Sequence, residues 1–152
     1  HCCNLAKSHN KKVALTLSDL FCVDRHRIDF INLIENFVDI IFANEHEIKS
    51  LYQSDLIQSI NIIKNNVDLG AITLGSKGSI VFENKAEYSI DPIFTEELID
   101  TTGAGDLFAA GFLYGFTNKH SIEKCGHLGN KAASEIIKYI GARPKISLKS
   151  IL

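Results

Sequence analysis

Short apolar runs alternate with helical patterns along the chain, and this alternation is the feature that most constrains its fold. The runs at 12–18, 39–43 and 69–74 are rich in β-branched residues and leucine and predict strands. Apolar residues at helical spacing follow the first two runs. Strands that alternate with helices are typical of a mainly parallel sheet covered on both faces. The pattern therefore predicts a three-layer α/β/α fold.

Two further runs, at 79–83 and 86–90, lie close to the strand at 69–74. The sequence GSKG at 75–78 separates the first of them from that strand, and a glycine-containing interval of this length is typical of a tight connection. We therefore expect the sheet to become antiparallel at one edge. The helical patterns in the chain predict five helices, at 24–36, 45–52, 55–64, 104–117 and 122–139.

The composition is that of an ordinary globular domain. The chain has 152 residues, 45% of them hydrophobic, and a formal net charge of -2, which excludes a disordered tail and a strongly basic nucleic-acid binder. No apolar run approaches the roughly 18 residues of a membrane helix. No repeat or linker divides the sequence, so we expect one domain over 1–152.

The four cysteines have neither zinc spacing nor the density of a disulfide scaffold, and the first residues of the sequence lack the charged and then apolar layout of a signal peptide. A cytoplasmic location fits these features best. The chain contains no methionine and starts at His1, so we expect it to be a fragment of a longer protein or a processed piece.

The strongest chemical signal is the sequence DTTGAGD at 100–106, where an extended segment meets a predicted helix. Glycines on both sides of Ala104 let the backbone approach a ligand closely, and the amide groups of a helix's first turn have no partner within the helix. Together these features predict an anion site. Asp106 lies in this first turn, where the positive end of the helix favours the ionised carboxylate.

Other interpretations of this glycine pair are weaker. A simple turn with an acidic residue at a helix start would explain a GAG sequence by itself. A dinucleotide-binding fingerprint is unsupported, because the next glycine after Gly105 is Gly111 and the GxGxxG spacing is broken. A P-loop is also unsupported, because Lys77 precedes Gly78 instead of following it.

Two supporting motifs each have a structural alternative. Asn44 and Glu47 have the spacing of a capping box, which alone would explain both residues. The residues from Gly75 to Gly78 could form only a hairpin turn, although the same turn would let backbone approach a phosphate and Lys77 could add a positive charge.

The sequence DTTGAGDLFAAGF resembles the C-terminal signature of the ribokinase-like (PfkB) family of carbohydrate and nucleoside kinases. Asn44 to Glu47 resembles the family's NxxE element, and Thr73 to Gly78 resembles its nucleotide-binding turn between two strands. The resemblance covers nearly the whole chain, but only the C-terminal half of a family member. It implies a ribokinase-like fold without the N-terminal half and its lid.

The resemblance also implies roles for individual residues. Asp106 would be the catalytic base, and an anion hole for the transferring phosphate would be formed by the amides of Gly103, Ala104, Gly105 and Asp106. The nucleotide would be bound by residues of the turn, namely Thr73, Gly75, Lys77 and Gly78. Asn44 and Glu47 would organise Mg²⁺ and phosphate through water.

Further roles follow from the last long helix and from the loop before Gly103. The resemblance implies that this helix lies beside the adenine of ATP, with Asn130 as the better contact and His127 as the weaker one. Glycines at 126 and 129 could also serve only close helix packing. Asp100 and the carbonyl of Thr102 resemble a monovalent-cation site, which would hold K⁺.

The expected function is ATP-dependent phosphorylation of a hydroxyl group on a small sugar or nucleoside. The alternative is a nucleotide-binding module or regulatory fragment without catalysis, and the intact Asp106 favours the kinase. Ribose, fructose, ketodeoxygluconate and nucleosides all stay open, because by resemblance the missing half holds most groups that contact the acceptor. We therefore expect this chain alone to be inactive. The expected partners are the small-molecule substrate and, in a homodimer, a second copy of the chain, with no nucleic acid and no membrane.

Overall fold

The computed structural model describes residues 1–150. Within that range the chain forms five strands: β1 (Ala14–Thr16), β2 (Ile40–Asn44), β3 (Leu69–Thr73), β4 (Ser79–Glu83) and β5 (Ala86–Ile90). It also forms six α-helices: α1 (Cys2–Ser8), α2 (Leu20–Asn36), α3 (Glu45–Tyr52), α4 (Leu56–Asn66), α5 (Ala104–Thr117) and α6 (Ile122–Ile136). Short 3₁₀ turns occupy Gly75–Lys77 and Leu148–Ser150.

The five strands form one sheet in the order β1-β2-β3-β4-β5. β1 and β2 are parallel, with Ala14 opposite Ile40. Only a few residues connect β3 to β4 and β4 to β5, which is far less than the dozen or more that a parallel connection needs. The sheet is therefore mixed, and it has the predicted change of direction at one edge.

By its internal contacts the chain divides into two compact units. The first comprises residues 1–72 and 82–87, and the second comprises residues 73–81 and the described residues from 88 onward. The first unit contains α1 to α4, whereas α5 and α6 belong to the second.

The core of the first unit includes buried residues of β2 and β3. Four of the five residues of β2 are buried, and the same holds for β3. Continuous burial of this kind is typical of strands with both faces covered. Side-chain caps begin the helices around them: Asp19 accepts a hydrogen bond from the amide of Cys22 at 2.8 Å, and Asp55 accepts one from Gln58 at 2.9 Å.

The core of the second unit is built by the packing of α5 on α6. The buried side of α5 consists of Leu107, Phe108, Gly111, Phe112 and Gly115, whose helical spacing places them on one side of the helix. The two helices approach closely, because a Cβ on Gly129 would lie 2.9 Å from the ring of Phe108. Overpacking at such a contact is destabilising, so glycine sets the helix spacing here.

The largest differences from the sequence predictions are in α2, α6 and α1. α2 begins at Leu20, four residues before the predicted start at 24, because the Asp19 cap starts it and its first residues are exposed. α6 ends at Ile136, because the carbonyl of Ile137 accepts hydrogen bonds from the amides of Ile99 and Asp100. Helix α1 is absent from the predictions, since it buries no residue and therefore has no amphipathic pattern.

None of the helices within residues 1–150 combines the length and the apolar character that crossing a membrane would require.

Candidate active site

The loop that leads into α5 is held by the carboxylate of Asp100. Its Oδ1 accepts hydrogen bonds from the Thr102 amide at 2.9 Å and from the Thr102 hydroxyl at 2.7 Å. Its Oδ2 accepts one from the Gly141 amide at 2.8 Å. These bonds lower the pKa of Asp100, and the bond from the Thr102 hydroxyl has the largest effect. Both oxygens of the predicted cation ligand therefore already have protein donors, and the K⁺ site stays a prediction.

Gly103 is the residue immediately before α5 and has a left-handed conformation, with φ of +81°. A Cβ at this position would lie 2.8 Å from the Cβ of Ala142. Both the positive φ and this contact favour glycine. The first glycine of the motif thus serves the backbone turn that starts the helix.

The first turn of α5 leaves several amide groups available. The amide of Ala104 donates to the carbonyl of Thr101 at 3.1 Å, which differs from the predicted set of four unpaired amides. The amides of Gly103, Gly105 and Asp106 have no hydrogen-bond partner among the residues that the structure describes. Amides at a helix N-terminus, with the positive end of the helix dipole behind them, are suited to binding an anion.

Gly105 differs from Gly103 in both respects. Its φ is not positive, because it is a helical residue, and a Cβ added to it would meet nothing within 4 Å. It therefore gives the first turn an open face. Asp106 follows it in the same turn and is exposed to solvent. The role of Asp106 as a base stays a prediction.

A cavity of about 420 Å³ lies in the second unit, beside this helix start. Its volume is within the range of small-molecule sites. α5 and the loop before it contribute Thr101, Ala104, Gly105 and Phe108 to the lining. Ala104 and Gly105 are thus predicted site residues that line the cavity, whereas Gly103 and Asp106 are outside the lining.

The turn after β3 contributes a second part of the lining. Thr73 at the end of β3 and Gly75, Ser76 and Gly78 of the turn line the cavity, and all of them except Ser76 are predicted nucleotide contacts. The turn is closed by a hydrogen bond of 2.8 Å from the Leu74 amide to the Gly78 carbonyl. Lys77, the fourth predicted contact, is exposed and lies outside the lining.

The segment at 92–98 forms a wall that sequence reasoning missed. Its residues Pro92, Ile93, Phe94, Thr95 and Leu98 line the cavity, although Phe94 is 85% exposed. The segment has neither helix nor strand, so no periodicity identified it. The available signal was an apolar cluster between β5 and the DTTGAGD motif.

The last part of the lining consists of Asn130, Ala133 and Ser134 of α6 and of Ile137, the residue directly after this helix. Asn130 is 8% exposed and all its side-chain hydrogen bonds are to other protein groups. His127, three residues earlier, is exposed and is not a lining residue. Of the two predicted adenine contacts, only Asn130 therefore lies at the cavity.

Asn44 and Glu47 lie in the first unit, where they cap α3. The Asn44 amide donates to Glu47 Oε2 at 2.8 Å, the Asn44 side-chain Nδ2 donates to Oε1 at 2.7 Å, and the Glu47 amide donates back to Asn44 Oδ1 at 2.9 Å. The capping box, which was one of two interpretations of this spacing in the sequence, is thus present. Burial, and secondarily the charge of Asp19, raises the pKa of Glu47.

This closed pair has a consequence for the predicted magnesium site. Each of the three side-chain oxygens accepts one hydrogen bond and keeps a second lone pair, so the pair could still accept a bond from a Mg²⁺-bound water. The structured part of the chain, 1–150, contains no cluster of three or more His, Cys, Asp or Glu side chains suited to a metal ion. The role of Asn44 and Glu47 in organising Mg²⁺ through water therefore stays a prediction.

The chain is similar to several known proteins in sequence and in structure. An uncharacterized sugar kinase of Archaeoglobus fulgidus is 39% identical over 105 residues, which are 68% of this chain and 42% of that protein. A cytidine kinase of Thermococcus kodakarensis is 35% identical over 118 residues, 76% of this chain and 42% of that protein. The crystal structure of an adenosine kinase from Sinorhizobium meliloti superposes with a TM-score of 0.94 at 41% identity, over 97% of this chain and 46% of that one.

The chain spans less than half the length of these relatives. Its fold is ribokinase-like, since an archaeal nucleoside kinase of the ribokinase family, from Methanocaldococcus jannaschii, also superposes with a TM-score of 0.76 at 28% identity, over 87% of this chain and 43% of that one. The family profile described as pfkB family carbohydrate kinase matches residues 3–148. With that match over nearly its whole length, the chain belongs to the pfkB family of carbohydrate kinases.

Proposed function

We propose that this chain is the nucleotide-binding and catalytic half of an ATP-dependent kinase that phosphorylates a hydroxyl group of a small sugar or nucleoside. The observation that carries the proposal is the start of α5, where unpaired amides and an open Gly105 stand beside a cavity of about 420 Å³. The names of the relatives, which include sugar, cytidine and adenosine kinases, support the class of acceptor.

The cavity fits a nucleotide on two grounds. Gly75 and Gly78 both have positive φ and bring backbone, without side chains, to the cavity wall. The lining also includes apolar side chains such as Phe94, Leu98 and Ile137, which suit a flat base. The triphosphate would lie against the first turn of α5, because that turn offers both amide donors and the helix dipole.

In the proposed reaction, the acceptor hydroxyl attacks the γ-phosphorus, a new oxygen–phosphorus bond forms, and the bond from the γ-phosphorus to the oxygen bridging it to ADP breaks. The hydroxyl proton passes to the carboxylate of Asp106, which is exposed in the same turn as the phosphate-binding amides. The phosphoryl-transfer transition state is loose, so alignment and charge stabilisation matter more than the strength of the base.

Mg²⁺ bound to ATP would neutralise phosphate charge in such a reaction. Asn44 and Glu47 would help to organise this ion through water, since each of their three side-chain oxygens accepts only one hydrogen bond. No step of the proposal uses K⁺ at Asp100, whose two oxygens accept bonds from Thr102 and Gly141.

The experiment that tests the proposal is the substitution Asp106→Asn in the full-length protein. The amide keeps the size of the carboxylate but cannot take the proton, so turnover should fall by about 10²- to 10⁴-fold while ATP binding measured by calorimetry stays nearly unchanged. Asp68→Asn is the matched control, because Asp68 is also exposed and belongs to the first unit.

Two outcomes would contradict the proposal. Turnover within a few-fold of the parent would exclude Asp106 as the base. A parent protein that binds ATP but transfers no phosphate to any pentose, hexose or nucleoside would instead indicate a nucleotide-binding module.

A further inference from the structure

The side chain of Asn130 is fully engaged with other parts of the protein. Its Nδ2 donates to the carbonyl of Asp91 at 2.9 Å and to that of Ile90 at 3.4 Å, and its Oδ1 accepts a bond from the Ser79 hydroxyl at 3.2 Å. Both amide hydrogens therefore have acceptors, since a carboxamide has two donor hydrogens. The residue is 8% exposed, so these bonds are shielded from water.

The partners of Asn130 belong to two segments of the cavity wall. Ser79 directly follows Gly78, the last residue of the turn in the lining, and Asp91 directly precedes Pro92, the first residue of the 92–98 wall. These segments are in close contact, because a Cβ on Gly78 would lie 2.8 Å from the nitrogen of Pro92. One side chain on α6 thus joins both segments at the point where they meet.

This arrangement conflicts with a direct role in recognising a base. Donation to a nucleotide would require Nδ2 of Asn130 to give up its bond to Ile90 or Asp91, which is unfavourable. Donation to a base is therefore the less economical role for this side chain, and acceptance by Oδ1, which keeps a second lone pair, is tested by the comparison of nucleotides below.

We propose that Asn130 is a positioning residue, which holds the Gly78 turn and the 92–98 wall on α6 and so sets the shape of the nucleotide cavity without reading the base. The occupant of the cavity rests on the function proposed above. The positioning itself rests only on the three hydrogen bonds, and it can be tested without any ligand.

The test is hydrogen exchange in the full-length, ligand-free protein, with Asn130→Ala, Asn130→Asp and Ser79→Ala. Both Asn130 variants should speed exchange of the amides at 91 and 93–98 by about tenfold, the factor that corresponds to one net buried hydrogen bond. Ser79→Ala should affect only the turn at 75–79. Ser134→Ala is the matched control for exchange, because its buried hydroxyl donates to Lys131 within the same helix.

A second measurement compares the affinities of these variants for ATP and GTP. Positioning predicts that each Asn130 variant weakens both nucleotides by the same factor, whereas direct contact predicts a changed ATP to GTP ratio. Unchanged exchange at 91–98, or a changed ratio, would overturn the proposal. If Asn130→Ala does not fold, Asn130→Asp decides the same question. Aspartate keeps the size of asparagine and an oxygen that accepts from Ser79, but it has no Nδ2 group to donate to Ile90 and Asp91.

The two proposals fail in different ways. A parent protein that binds neither nucleotide would contradict the proposed function, while the exchange measurement would still decide whether Asn130 holds the two segments.

Discussion

Oδ2 of Asp100 accepts a hydrogen bond of 2.8 Å from the backbone amide of Gly141, a residue 41 positions later in the chain. The bond connects the loop before α5 with the segment that follows α6. Gly103, at the end of that loop, packs against Ala142, the next residue of the same segment. The conformation of the proposed phosphate site is therefore supported from a distant part of the sequence.

This relationship predicts a pH-dependent contribution of Asp100 to stability. Its hydrogen bonds lower its pKa in the folded state, so its contribution is present above the unfolded pKa of about 3.9 and is lost as the pH falls through the lower folded value. Asp100→Asn should therefore be less stable than the parent at pH 7, and the difference should shrink towards pH 3. Urea unfolding across this range measures it, with Glu96→Gln as an exposed control. A difference that is independent of pH would contradict the prediction.

Glu47 should show the opposite dependence. Its folded pKa is raised by burial, so its favourable contribution is complete below the unfolded pKa of about 4.3 and is lost as the pH rises through the folded value. The stability of the parent relative to Glu47→Gln should therefore decrease from pH 4 to pH 7. Chemical unfolding at several pH values tests this, with the exposed Glu83→Gln as the control. A relative stability that increases over this range would show that the carboxylate is favoured by its surroundings.

The two glycines of the GAG sequence should respond differently to alanine. Gly103→Ala introduces a Cβ at a positive φ and against Ala142, so the free energy of unfolding should fall by about 1–2 kcal/mol or more. Gly105→Ala at a helical position with open space should leave it unchanged or raise it by up to about 1 kcal/mol. Equal losses for the two variants, measured by urea unfolding, would argue against the left-handed turn at Gly103.

A larger side chain at Gly105 should separate binding from folding. Gly105→Val should weaken ATP binding by about 10- to 100-fold, because the side chain would displace a phosphate from charge-assisted hydrogen bonds. The melting temperature should change little, since nothing lies within 4 Å of the added Cβ. Calorimetric titration and thermal unfolding of the same samples test both statements. Equal ATP affinities in the parent and the variant would place the phosphate elsewhere.

The sequence alone predicted those elements that depend on neighbouring residues. The bounds of α5, β4 and β5 agree with the predictions, because helical spacing of apolar residues and short strands bounded by turns are local patterns. The capping box of Asn44 and Glu47 was also identifiable, since its two residues are three positions apart. The same holds for the glycine motif at the start of α5, whose amides are left unpaired by the geometry of any helix start.

Only the tertiary structure decided which of these groups still have free hydrogen-bonding capacity and which segments enclose the cavity. Asn130 and Asp91 are 39 positions apart, and Asp100 and Gly141 are 41 apart, so no local pattern could indicate that these polar groups satisfy one another. The 92–98 wall likewise has no periodicity of its own and is defined only by what surrounds it. The physical reason is that local spacing determines which groups a helix or turn offers, whereas their partners depend on contacts made when distant segments pack together.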